Sequence, residues 1–306
     1  ILTESFLFIF LKYFYCRNIF LFLFSNQILI FFNISALTLS PKIILNRNNK
    51  MVALITGASR GIGYEFAKVF AENNYDLILT ARSANNLERI KHELENKFCI
   101  DVMIISKDFS DIKQVELFCK ELDESNAEID VLVNNAGIGL YGRHSDTIAE
   151  RELSMINLNI TALTYLTKHF LQGMLERRKG YILNVASTAA FKPGPMMAVY
   201  YATKSYVLTY SESLAAELKG KGVSVTAFCP GPTETDFFKN ATDGNAKDMK
   251  LKKYMSARDA ALYGYDAMLK KKLIAVPGLT NKLINNAIKF IPRNILGRVL
   301  FSLKDK

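Results

Sequence analysis

Tyr200 and Lys204 stand four residues apart in the segment YYATK, and Ser187 precedes Tyr200 by 13 residues. On a helix, positions i and i+4 share a face, so this spacing sets the Lys204 ammonium beside the Tyr200 phenol. A free phenol titrates at about 10, too high to lose a proton readily at neutral pH, and a nearby cation favours the phenolate. Such a pair moves a proton to or from an oxygen, and Ser187 is placed to hydrogen-bond that same oxygen. Tyr201 is followed four residues later by Ser205 instead of a lysine, and reads as a packing residue.

A second constellation lies near residue 60. In TGASRGIG, glycines 57, 61 and 63 follow the apolar run VALIT and open the stretch YEFAKVFAE. Glycines here allow a tight turn and close backbone approach, and a helix starting at this point offers unpaired N–H groups to a phosphate.

Both constellations need elements to hold them. Strand-like apolar runs occur at Val52 to Thr56, Leu77 to Ala81, Val102 to Ser106, Val131 to Asn134, Tyr181 to Val185, Val223 to Phe228 and Leu273 to Val276. Amphipathic stretches lie between them, at Gly63 to Glu72, Asn85 to Lys97, Ile112 to Leu122, Glu150 to Arg178 and Ala198 to Leu218. Repeated βα units with continuous apolar strands predict one α/β domain, a doubly wound, Rossmann-type parallel sheet of about seven strands. Its ligand belongs at the carboxyl edge of the strands, where both constellations fall.

TGASRGIG resembles the cofactor loop of the short-chain dehydrogenase/reductase family, and further motifs follow in the family's order. NNAG spans Asn134 to Gly137, Asn157 lies in MINLNITAL, Ser187 ends ILNVAS, Tyr200 and Lys204 form YxxxK, and Pro230 and Gly231 open PGPTET. The resemblance covers roughly residues 51–278, and its nearest types are the DltE-like oxidoreductases and the 3-ketoacyl and 17β-hydroxysteroid reductases. It implies hydride transfer between a nicotinamide cofactor and a carbonyl or secondary alcohol, with Tyr200 as acid and base. It further implies that Lys204 binds the nicotinamide ribose, that Asn157 supports a water leading protons to Lys204, and that Asp108 contacts the adenine. The family usually forms dimers or tetramers.

The cofactor choice follows from charge. The second strand ends in Arg82 where an acid would hold a ribose 2′-hydroxyl, and Arg60 adds a cation in the glycine loop, so NADP(H) is expected. The expected cofactor contacts are Gly57, Ser59, Arg60, Gly61, Ile62, Gly63, Arg82, Asp108, Asn134, Ala136, Gly137, Tyr200, Lys204, Pro230, Gly231 and Thr233. By position in the family, the substrate wall is expected from Ile138 to Tyr141, Ala189 to Met197 and the segment after Gly231, with Leu140, Tyr141, Phe191, Met196 and Met197 foremost. These residues suit a hydrophobic ketone, a 3-oxoacyl thioester or a steroid-like ring. The polar, Lys-rich residues 232–255 read as a mobile lid. A reading of a different class is an idle NADP-binding sensor or scaffold, against which the full set of Ser187, Tyr200, Lys204 and Asn157 argues.

The net charge of +10 does not indicate nucleic acid. Residues 51–246 are mildly acidic, and the excess Lys and Arg fall in residues 1–50 and beyond 246, so the folded body has no basic surface for a duplex. Cys16, Cys99, Cys119 and Cys229 form no CxxC pair and there are three histidines, so no metal site is indicated and the thiols are expected to be reduced. Residues 1–50 form an apolar, Phe-rich leader with three readings. It is a membrane anchor over Asn18 to Ser40 with the body on the cytosolic side, upstream sequence foreign to the native protein, or an interfacial tail. Residues 279–306 form a basic tail with Leu283, Ile284, Ala287, Ile288 and Ile291 at helical spacing. That face suits an anionic bilayer, the body of the protein or a second subunit.

Overall fold

The computed structural model describes residues 21–24, 27–30, 50–244, 255–288 and 290–304. Residues 1–43 and 44–306 are separate compact units. In the first, β1 (Leu21–Phe24) and β2 (Gln27–Ile30) pair as an antiparallel hairpin. The stretch Asn18 to Ser40, one reading of which is a membrane anchor, carries these two strands, and its remaining residues lie outside those described. Among the described residues no helix is long and apolar enough to cross a membrane.

The second unit is built on seven parallel strands: β3 (Val52–Thr56), β4 (Asp76–Ala81), β5 (Val102–Ser106), β6 (Val131–Asn134), β7 (Gly180–Val185), β8 (Val223–Phe228) and β9 (Ile274–Ala275). Their order is β5-β4-β3-β6-β7-β8-β9, so the direction of winding reverses between β3 and β6. At that switch point a crevice opens beyond the strand ends. Strand β3 is buried at every position, because helices cover both faces and no position can be polar without a buried partner. The last strand is shorter than the expected Leu273 to Val276, pairing with β8 over two residues only.

One face carries α1 (Gly61–Glu72), α2 (Ala84–Lys97) and α8 (Ala257–Leu269). There Phe66, Phe70, Leu77, Leu79 and Phe228 are fully buried. Gly264 in α8 makes this closeness possible, since a Cβ there would stand 2.8 Å from the Phe66 ring. The opposite face carries α3 (Ile112–Ser125), α5 (Leu163–Glu176) and α6 (Ala198–Glu217), over Leu54, Ile78, Phe118, Leu132 and Ile182. Truncating one of these aromatic side chains to alanine costs roughly 3–5 kcal/mol.

The stretch expected as one helix, Glu150 to Arg178, is divided. It runs as α4 (Ala149–Ile156), a π-helical turn (Asn157–Ala162) and then α5. A π turn inside an α-helix rotates one residue out of register, commonly at a functional site. The tail forms α9 (Leu279–Ile288) and α10 (Arg293–Lys304) and belongs to the same compact unit as the sheet. Cys119 and Cys229 are buried free thiols.

Candidate active site

One cleft of about 1440 Å³ lies beyond the carboxyl ends of β3, β4, β6 and β7. That exceeds a typical single-ligand pocket of about 300–1,000 Å³, so it has room for two ligands side by side. Gly57, Ser59, Arg60, Gly61, Ile62 and Gly63 line one end. The glycines are needed for different reasons. Gly57 has φ +67°, and a Cβ there would stand 2.9 Å from Ala136 Cα. At Gly63 a Cβ would sit 2.3 Å from the Gly57 carbonyl oxygen, so this glycine lets α1 close onto its own loop. Arg60, at the N-cap of α1, makes no side-chain cap, and the first-turn N–H groups are left for an anion.

Thr56 and Asn135 hold this loop against the β6 loop. Thr56 Oγ1 accepts from Asn135 N and Ala136 N, each at 3.0 Å, and Asn135 Nδ2 donates to Thr56 O at 2.9 Å and Gly57 O at 3.2 Å. The expected cofactor contact Asn134 is elsewhere. Its amide is buried in the sheet and donates to Thr167 Oγ1 and Asn184 Oδ1, both at 2.9 Å, while Asn135 lines the cleft. Side chains alternate along a strand, so of two adjacent asparagines at its end only one faces the crevice.

Arg82 and Asp108 also line this end, with Arg82 Nη1 3.9 Å from Asp108 Oδ2. Asp108 Oδ1 accepts from Ser110 N at 3.0 Å, while the cap of α3 is Asp111. Ala136, Gly137, Pro230, Gly231 and Thr233, also expected at the cofactor, line the cleft as well.

At the closed end, Tyr200 and Lys204 lie buried on one face of α6. Lys204 Nζ donates to Val185 O at 2.7 Å and stands 5.9 Å from the centre of the Tyr200 ring. Burial lowers the Lys204 pKa to about 8. Burial pushes the Tyr200 phenol well above its ordinary value, opposed by a hydrogen bond from Ser187. Desolvation disfavours the phenolate more than the Ser187 hydrogen bond favours it, the opposite direction to the lowering expected from a nearby cation.

The asparagine at this site is Asn159, not Asn157. Asn157 is exposed, whereas Asn159 is 1% exposed. Asn159 Oδ1 accepts from Ile138 N, and its Nδ2 donates to Ile138 O and Thr203 Oγ1, all at 3.0 Å. Residues two apart on a helix point about 200° away from each other, so in the sequence NLN only one asparagine can face inward.

Leu140, Tyr141 and Met197 line the half of the cleft expected to face the substrate, packed with Met155, Ala189 and Tyr200. Phe191 and Met196 do not line it. Phe191 packs against the separate cluster of Leu163, Val207 and Ala227, and Met196 takes a left-handed φ of 66° where the chain reverses into α6. Tyr201 packs over Gly194, where any Cβ would overlap its ring. Phe237, in the segment after Gly231, also lines the cleft, its ring 5.2 Å from that of Tyr200 on α7 (Phe237–Ala241). Lys192, within the expected stretch 189–197, is on the cleft wall as well, and sequence reasoning missed Arg151, Asn281 and Asn285 there. Of the expected lid, residues 245–254 lie outside those described, and Thr233, Thr235 and Phe237 line the cleft.

The short chain dehydrogenase family model matches residues 51–246. An NADP-dependent 3-hydroxy acid dehydrogenase of Salmonella typhi is 37% identical over 183 residues, 59% of this chain and 72% of that protein. A very-long-chain 3-oxoacyl-CoA reductase of Danio rerio is 34% identical over 58% of each chain. Among solved structures, a short-chain dehydrogenase from Sphingobium yanoikuyae in complex with NADPH superposes with a TM-score of 0.70 at 28% identity, covering 79% of this chain and 97% of that one. The chain belongs to the short-chain dehydrogenase/reductase family and is an oxidoreductase acting on CH–OH groups.

Proposed function

We propose that this chain is an NADP(H)-dependent reductase that interconverts a carbonyl and a secondary alcohol on a largely apolar substrate. The observation that carries the reading is the convergence of Ser187, Tyr200 and Lys204 at the closed end of a cleft whose other end carries Arg60 and Arg82. The bound cofactor supplies the hydride. Ser187 and the Tyr200 hydroxyl hold the carbonyl oxygen, and the neutral phenol donates its proton as negative charge develops there. Lys204 holds the ribose hydroxyls and, as a cation, stabilises the phenolate left behind. Asn159 fixes the backbone of Ile138 above that lysine, and Asp108 bounds the adenine.

NADP(H) is favoured over NAD(H) because two guanidinium groups border the ribose end and no acid ends β4. Leu140, Met155, Met197 and Phe237 favour an aliphatic or ring-bearing ketone, a reading supported by the relatives' names, which cover 3-hydroxy acids and 3-oxoacyl-CoA. NADPH consumption measured against a panel of ketones and 3-oxoacyl thioesters tests the reading. Turnover of at least one, faster with NADPH than with NADH, is expected. Tight NADPH binding with no turnover of any would instead make the chain an idle NADP-binding sensor.

The same reading gives α9 and α10 a peripheral contact with an anionic bilayer on the cytosolic side. Leu279, Leu283 and Phe290 are 78%, 69% and 88% exposed, and Lys282 and Arg298 are exposed beside them. Flotation of the protein with anionic but not neutral vesicles is expected. A dimer or tetramer in sedimentation with no vesicle binding would assign these helices to a subunit interface.

A further inference from the structure

We infer that Lys192 and Asn285 form a carboxylate-binding subsite in the substrate half of the cleft. The inference rests on the reductase reading and narrows its substrate to one that carries an acid group as well as the reacting carbonyl.

Lys192 directly follows the 3₁₀ turn Thr188–Phe191 that leads out of Ser187. It lines the cleft, is half-buried, and has no hydrogen bond or ion pair among the described residues. Burial alone lowers its pKa, so no carboxylate of the protein offsets the desolvation. Glu150 and Asp236 line the same cleft without pairing to it. Arg151, the other cation of this half, is engaged by Asp243 through two hydrogen bonds of 2.7 and 2.8 Å.

Asn285 lines the same cleft. It lies on α9, which packs against the same 3₁₀ turn, and it is 5% exposed. Its Nδ2 is buried and has no acceptor. One turn earlier, Asn281 Nδ2 already donates to Pro277 O at 2.9 Å, so the free amide is that of Asn285. A half-buried ammonium and a buried amide N–H on one cavity wall both lack acceptors, and a carboxylate has two oxygens to accept from both. The apolar residues around Tyr200 would then hold the alkyl chain on the other side of the reacting centre.

The test compares NADP⁺-dependent oxidation of 3-hydroxyhexanoate, its methyl ester and 3-hydroxyhexanoyl-CoA by the wild type, Lys192→Gln, Lys192→Arg and Asn285→Leu. In Lys192→Gln the KM for the acid rises about tenfold or more, the size of a lost charge-assisted hydrogen bond, with kcat held, so the preference for acid over ester falls by that factor. Lys192→Arg restores most of it, and Asn285→Leu gives a smaller rise of the same kind. An equal KM rise for acid and ester, or none for the acid, overturns the subsite. A rise confined to the CoA thioester assigns Lys192 to the carrier's phosphates and overturns the carboxylate. If none of the alcohols is oxidised, the reductase reading fails. The subsite is then decided by calorimetry of hexanoate on the NADP⁺ complex, where binding weakened in Lys192→Gln supports it and unchanged or absent binding overturns it.

Discussion

The carboxamide of Asn159 closes both backbone hydrogen-bonding groups of Ile138, accepting from its N–H and donating to its carbonyl at 3.0 Å each. Through this clamp the π-helical turn fixes the loop after β6, and Gly137 brings that loop close to Lys204. A Cβ on Gly137 would stand 3.2 Å from Asn159 Oδ1 and 3.4 Å from Lys204 Nζ. Replacing Asn159 by Leu leaves buried backbone groups without partners, at about 1–3 kcal/mol each. Asn159→Leu is therefore expected to lower Tm and to cut kcat at least tenfold, while Asn157→Ala changes neither. Thermal melts and steady-state kinetics on the two variants check this, and equal effects would return the role to Asn157.

Arg82 and Asp108 stand 3.9 Å apart at the end of the cleft proposed to hold the cofactor ribose. Arg82→Asp removes a guanidinium from the phosphate site and sets a second carboxylate beside Asp108. Losing one charge-assisted hydrogen bond, worth about 1.5–3 kcal/mol, shifts the NADPH/NADH ratio of kcat/KM toward NADH by about tenfold or more. Cofactor titrations at fixed substrate read the shift. An unchanged ratio would remove Arg82 from the phosphate site.

Lys204 titrates at about 8 in the folded chain, below the ordinary lysine value, because burial disfavours its charge. Between pH 8 and the unfolded value of about 10.4 the unfolded chain binds the extra proton, so stability rises with pH across that window. Below pH 8 the cost of the buried charge is fully present. Lys204→Met is accordingly expected to melt no lower than the wild type at pH 7 without cofactor, with its relative advantage shrinking above pH 8. Reduction should decline on the alkaline side as the ammonium is lost, and that limb should vanish in Lys204→Met. Melting curves and kcat/KM profiles against pH measure both effects.

The sheet was legible because each parallel strand is a short continuous apolar run, as in VALIT and VSVTAF, and glycines at 57, 61 and 63 mark where chain meets chain. Ser187, Tyr200 and Lys204 were legible because their spacing is set within one strand end and one helix. Pairs of like residues were not. Asn157 against Asn159 depends on the phase of a π turn, and Asn134 against Asn135 on which side of the sheet the last strand residue faces. The substrate wall was read too far toward the apolar. Asn281 and Asn285 come from a distant segment that meets the site only when α9 folds back over the cleft, and local periodicity carries no record of that return.

The central claim is that Tyr200 passes the proton at the carbonyl oxygen, and Tyr200→Phe tests it most directly. The substitution removes one hydroxyl from a ring packed against Phe237 and Tyr201, so the fold and the NADPH affinity should be kept. Single-turnover reduction under saturating NADPH is expected to slow about 10²–10⁴-fold, the range for a positioned general acid. A Tyr200→Phe enzyme that binds NADPH and reduces its substrate at the wild-type rate would contradict the account.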